Sequence, residues 1–349
     1  MYNSNSMGNN YNEEDKSSLY YFKESLKKYD DAIERDPSNM KNHYRKVNYC
    51  LRHKYYEEVI KEYDFFIKLN PDRPDYHGRK GNMLARLNRY EEAIEEYDIA
   101  IQLDPNDADY HNDKGNVLKN LNRYEAALKE YNIAIQLDLY EVRYHLGRAE
   151  TLYNLNRYEE AIEEYDISIK FVLFKGQKYY LQYRRACALS ELHRFEEALM
   201  ELNKLIQYCS DKAEYYGVKA QILYNLQRYQ EAIEESNRAL HLDPSNPEYY
   251  RIKGMSIKAL GYYEDALPVF WEALTRSYFN PDYLIDYLQI SALVERWNEE
   301  FQSICEIISK QKSDLEKLCR ELNYRMNKSS HILEAERLAL IRLSERYCR

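Results

Sequence analysis

The sequence repeats itself. "NRYEEAIEEYDIAIQLDP" at 88–105 returns as "NRYEAALKEYNIAIQLDL" at 122–139 and as "NRYEEAIEEYDISIK" at 156–170. Looser copies are "HRFEEALMELNKLI" at 193–206, "QRYQEAIEESNRALHLDP" at 227–244 and "GYYEDALPVFWEAL" at 261–274. One alanine marks each copy: Ala93, Ala127, Ala161, Ala198, Ala232 and Ala266, at steps of 34, 34, 37, 34 and 34. A fixed period of this length restricts a chain to stacked helix–turn–helix units, because no single unit can bury its apolar face alone. Composition agrees. With 9 Gly and 8 Pro in 349 residues, there is too little turn chemistry for barrels, sandwiches or Gly-looped nucleotide folds, and an almost wholly helical chain is expected.

Each unit has a second fixed point. A small residue lies twelve positions before each alanine: Gly81, Gly115, Ala149, Ala186, Ala220 and Gly254. Helices approach closely only where neither side chain is large, so the small pair marks the contact of a helix A with a helix B. A leucine there should overpack the contact at a cost of ~1–3 kcal/mol. An aromatic three residues before the alanine starts helix B (Tyr90, Tyr124, Tyr158, Phe195, Tyr229, Tyr263). Another, four residues after it (Tyr97, Tyr131, Tyr165, Phe270), fills the space between units. Asp-Pro at Pro37, Pro105 and Pro244, and Asn-Pro at Pro71, end helix B, since proline cannot continue it.

This pattern, small at 8, aromatic at 17, Ala at 20, aromatic at 24, small at 27 and Pro at 32 of 34, resembles the tetratricopeptide repeat family. The resemblance implies an all-α, right-handed superhelical solenoid of about seven full units with degenerate ends. The units span 40–73, 74–107, 108–141, 142–178, 179–212, 213–246 and 247–280. In the first, Val47 and Val59 stand at the small positions. Residues 1–16 read as a disordered polar tail, 17–39 as a lone helix B, 281–311 as a degenerate repeat and 312–349 as capping helices. Two irregularities are expected to bend the array: "KFVLFKGQK" at 170–178, with a bend at Gly176, and Pro268 inside a helix B.

The resemblance also places helix A on a concave groove, with positions 2, 5, 6, 9, 12 and 13 facing the ligand. Position 9 is Asn48, Asn82 and Asn116 in successive units, a ladder of amides able to donate to and accept from a peptide backbone. Lys41, Arg45, Arg52, Arg79 and Arg86 also fall on groove positions, against Asp75 alone, and Asn112 stands at position 5 of the third unit. Arginine forks suit carboxylates. These residues form the candidate site for an extended acidic peptide or a free C-terminus. The carboxylate clamp of co-chaperone tetratricopeptide domains is not reproduced, because position 5 is Tyr44, Gly78 and Asn112.

Other functions find less support. No cofactor, metal or catalytic residue is indicated: there is no Gly-rich phosphate loop, nucleophile elbow or H-E-x-x-H. His43, His77, His111 and His145 recur at position 4. Helix spacing of about 8–10 Å sets them too far apart for one metal, so they read as packing substitutes for a large aromatic. The acidic B helices (Glu91, Glu92, Glu95, Glu96; Glu159, Glu160, Glu163, Glu164) read as solvated faces. With a net charge of −9 they argue against nucleic acid and membrane surfaces. Six scattered cysteines and no apolar leader indicate a reduced, cytoplasmic setting. The reading is a non-catalytic adaptor; the alternative is a scaffold that self-assembles through the C-terminal helices.

Overall fold

The computed structural model describes residues 13–278 and 280–294, and the chain divides into two compact bodies, 1–171 and 172–349. The first body holds α1 (Glu13–Arg35), α2 (Met40–Arg52), α3 (Tyr56–Leu69), α4 (Pro74–Arg86), α5 (Tyr90–Leu103), α6 (Ala108–Asn120), α7 (Tyr124–Leu137), α8 (Val142–Asn154) and α9 (Tyr158–Phe171). The second holds α10 (Lys175–Glu191), α11 (Phe195–Tyr208), α12 (Ala213–Asn225), α13 (Tyr229–Leu242), α14 (Pro247–Ala259), α15 (Tyr263–Arg276) and α16 (Pro281–Leu293). All regular structure among the described residues is helical. Within each body every helix packs on the next in sequence, and alternate A helices also touch, as α4 with α6, α6 with α8 and α12 with α14.

The repeat signature explains this packing. Ala93, Ala127, Ala161, Ala198, Ala232 and Ala266 are all fully buried, and so are Ala149, Ala186 and Ala220 of the facing helices. The aromatic at position 24 closes each contact. A Cβ added at Gly81 would stand 2.8 Å from the Tyr97 ring, and one at Gly115 2.9 Å from Tyr131. Val47 and Val59 occupy the same buried place in the first unit.

The A-to-B turns are equally regular. Lys54, Asn88, Asn122, Asn156, His193, Gln227 and Gly261 all have positive φ, the left-handed residue that ends a helix. Around Asn88, its N–H bonds the Ala85 carbonyl and the Arg89 N–H reaches Leu84. Asparagine tolerates this conformation better than most residues, and glycine best. His193→Gly is therefore expected to gain about 0.5–1 kcal/mol, the relief of φ strain less the added freedom of the unfolded chain. Urea unfolding measures it, and a loss of stability would refute the strain argument.

Two expectations need amendment. α1 begins at Glu13, inside the segment read as a tail; residues 1–12 lie outside the described residues. Gly176 makes no bend. It sits in the first turn of α10, which starts at Lys175, four residues before the expected unit start at Tyr179. α15 continues through Pro268. Of the degenerate repeat, α16 and Val294 are described; 295–311 and the capping helices 312–349 lie outside.

Candidate functional site

In α2, His43, Lys46, Val47 and Cys50 face the core. Lys41, Arg45, Asn48 and Arg52, at spacings of 4, 3 and 4, therefore share the opposite face, and all four are exposed. α4 repeats the arrangement with Arg79 and Arg86 exposed and Asn82 half-buried. The two helices meet at a hydrogen bond between the Tyr44 and Tyr76 hydroxyls, 3.2 Å. Burial pushes the Tyr63 hydroxyl up against the opposing pull of the Arg79 guanidinium. Arg86 lies 5.6 Å over the Tyr56 ring. None of Lys41, Arg45, Arg52, Arg79 and Arg86 has an ion-pair partner among the described residues. The acid counted against them, Asp75, is held by Arg73 through two bonds of 2.9 and 3.1 Å.

The asparagine ladder is partly committed. Asn82 Oδ1 accepts from the Tyr97 hydroxyl at 2.9 Å, and Asn116 Oδ1 from Tyr131 at 2.8 Å. Asn112 is buried, 4% exposed, and its amide donates to Asp113 at 3.2 Å. It offers nothing to a groove ligand. Burial pushes the Asp113 carboxyl up, and bonds from Asn82 and Asn112 partly oppose this. The cationic face thus belongs to α2 and α4 and stops at α6.

The histidine row has a role beyond filling space. His43, His77, His111 and His145 are buried, and the Nδ1 of each bonds a B-helix glutamate nineteen residues on: Glu62, Glu96, Glu130 and Glu164, at 2.6, 2.7, 2.7 and 2.7 Å. In three units Nε2 also reaches the loop before helix A, at the carbonyls of Pro37, Pro71 and Leu139. A cation at position 7 completes each network. Lys80 bridges Glu96 and Asp64 of the preceding B helix, at 2.7 and 2.6 Å. Lys46 does so with Glu62 and Asp30, and Lys114 with Glu130 and Asp98. Burial pulls the Lys80 and Lys114 ammoniums down, and their two carboxylates more than reverse it. Burial likewise raises the Glu130 carboxyl, but His111 and Lys114 hold it below the ordinary value. Glu96 and Glu164, expected on a solvated face, point inward instead. The signal was the common 34-residue period of His, Lys and Glu. Charges in an amphipathic helix read as surface, which hid it. Among the described residues no three His, Cys, Asp or Glu side chains are grouped to hold a metal, and no helix is long and apolar enough to cross a membrane.

Comparison with known proteins follows the repeats. A TPR-repeat model matches residues 81–122, and a tetratricopeptide-repeat model matches 112–171 and 183–247. None of the curated proteins matches the chain. Among solved structures, the APC/C hetero-tetramer Cut9–Hcn1 is similar over 79% of this chain and 52% of that one, at 14% identity and a TM-score of 0.52. A structure from the functional characterisation of Pseudomonas aeruginosa pilF is similar over 60% and 95%, at 17% identity and 0.51. YrrB, a TPR protein with an unusual peptide-binding site, covers 52% and 91%, at 21% identity and 0.42. At these identities the likeness concerns the fold alone. In-register repeats, paired helices and matched models agree: this chain is a tetratricopeptide repeat protein.

Proposed function

We propose that the chain is a non-catalytic protein-binding module that holds an extended acidic segment or a free C-terminus on the cationic face of α2 and α4. Tetratricopeptide arrays are in general interaction modules and scaffolds, and are generally non-catalytic. One observation carries the finer reading. Many cations elsewhere in the first body are committed: Lys46, Lys80 and Lys114 inside, Arg89 and Arg123 on the B helices. Lys41, Arg45, Arg52, Arg79 and Arg86 share one face and have no acid among the described residues. A protein of net charge −9 that leaves five cations unpaired on one surface supplies the field an anionic ligand needs. The free thiols of Cys50, Cys187 and Cys209 suit a reducing compartment such as the cytoplasm.

A fluorescent peptide of alternating Asp and Ser with a free carboxylate tests this by anisotropy. Binding should weaken as salt rises. The Arg45→Glu/Arg79→Glu variant should lose at least tenfold in affinity, given about 1.5–3 kcal/mol per charge-assisted bond. Both side chains are exposed, so a matched thermal melt should confirm an intact fold. Equal affinity of a folded variant would move the site off this face.

A further inference from the structure

The outer face of the B helices carries a second pattern in the first body. Position 26 is Phe65, Ile99, Ile133 and Ile167, and position 30 is Leu69, Leu103, Leu137 and Phe171. Ile99, Leu103, Ile133, Leu137 and Phe171 are 37–39% exposed, and Leu69 51%. One turn earlier, position 22 is Lys61, Glu95, Lys129 and Glu163, all exposed. Ion pairs Arg89–Glu57 (3.2 Å), Arg123–Glu91 (3.0 Å) and Arg157–Glu125 (3.9 Å) join successive B helices and keep these positions in register. An apolar column therefore runs down α3, α5, α7 and α9, with a column of alternating charge beside it.

Phe65 stacks on His43, ring centroids 4.1 Å apart, but Leu69, Ile99, Leu103, Ile133, Leu137 and Phe171 remain exposed, and a solvated helix face has no need of such a row of apolar side chains. The alternating charges say what fits over them. Pairing each unit with its own counterpart sets four like charges against themselves. Reversing the order of units sets Lys61 opposite Glu163 of the second copy and Glu95 opposite Lys129, and every pair becomes attractive. The same reversal sets Ile99 on Ile133 and Leu103 on Leu137.

We propose that this face is a homodimer interface, in which two copies of the chain pack the outer faces of α3, α5, α7 and α9 together. The two-fold axis runs along the helices between α5 and α7, so the units meet in opposite order and the same patch is used twice. Glu95 and Lys129 flank the axis and have no ion-pair partner among the described residues. Lys61 is shared with Glu58 of its own helix, 2.7 Å away, so the central pair dominates. This face is distinct from the cationic face of α2 and α4, and the proposal does not rest on ligand binding there.

Sedimentation of the full chain, 42.2 kDa per copy, tests it. The wild type should form a dimer that weakens with salt. Glu95→Lys alone and Lys129→Glu alone each create two like-charged contacts and should raise the dissociation constant at least tenfold. The double variant restores both contacts and should dimerise like the wild type, as should a mixture of the two single variants. Ile99→Asp/Ile133→Asp should be monomeric, with circular dichroism confirming the fold. A wild type monomeric at about 100 µM would overturn the proposal. So would a dimer indifferent to the single changes, or a double variant that fails to recover.

Discussion

Replacing Tyr131 by alanine should remove roughly 3–5 kcal/mol of unfolding free energy, the range for truncating a large buried aromatic. The side chain is fully buried, and three helices hold it. A Cβ built on Gly115 of α6 would lie 2.9 Å from the ring, and one on Gly147 of α8 2.5 Å. The hydroxyl, from α7, donates to Asn116 at 2.8 Å. Truncation therefore empties one space shared by α6, α7 and α8 and removes the donor to a half-buried amide oxygen. Interfaces in a repeat array are nearest-neighbour, so the damage should stay local. Hydrogen exchange should accelerate in α6, α7 and α8 while α2 and α3 keep their protection. A loss below about 1.5 kcal/mol would show that the neighbours collapse into the gap. Gly147→Ala costs stability alone by crowding the ring. Added to Tyr131→Ala it should cost less than the two losses together, because the ring it crowds has gone.

The small residues that make room for Tyr131 are legible in the sequence, because a packing constraint that recurs every 34 residues leaves the same residue at the same place. Ala127 and Gly115 mark the A–B contact, and both are buried. Helix starts at Pro74, Ala108, Val142, Ala213 and Pro247 also fell on unit boundaries. Residues 170–178 were misread for a physical reason. Gly176 marks flexibility in a sequence, but a glycine can sit in the first turn of a helix at small cost. Site residues were less legible. Asn82 and Asn116 have the right spacing for a ladder, yet spacing does not reveal that Tyr97 and Tyr131 already use their oxygens. Asn112 lies at a groove position by register, but the Asp113 next to it draws its amide inward. Glu96 and Glu164 look identical to their exposed neighbours. Only the tertiary partners, His77 and His145, show that they are interior.

Those interior carboxylates make the second large prediction. Glu164→Gln should cost about 3 kcal/mol at slightly acid pH, the lower end for breaking a buried pair, because Arg148 can still turn to solvent. Glu164 is 5% exposed; it bonds His145 Nδ1 at 2.7 Å and pairs with Arg148 at 3.3 Å. His145 is 1% exposed, and its Nε2 faces the Leu139 carbonyl at 2.9 Å. Both ring nitrogens thus face acceptors, an arrangement that only the doubly protonated imidazolium satisfies as a donor at each end. Burial pulls the ring toward neutrality, but the Glu164 and Leu139 bonds outweigh it, and its pKa is raised. A raised folded pKa gives stability that is complete below the unfolded value of about 6.5 and is lost as pH rises through the folded one. Glutamine keeps the shape of the side chain and removes the charge that raises the histidine. The wild type should therefore lose this share of its stability between slightly acid and alkaline pH, and the variant, left with the Leu139 bond alone, should have much less of it to lose. Urea unfolding of both proteins across that range isolates the pair, since the two proteins differ at that one side chain. The gap between them should be widest at acid pH and narrow as His145 deprotonates. A gap independent of pH would mean that the ring is neutral in the fold and donates its Nδ1–H to Glu164 without forming an ion pair.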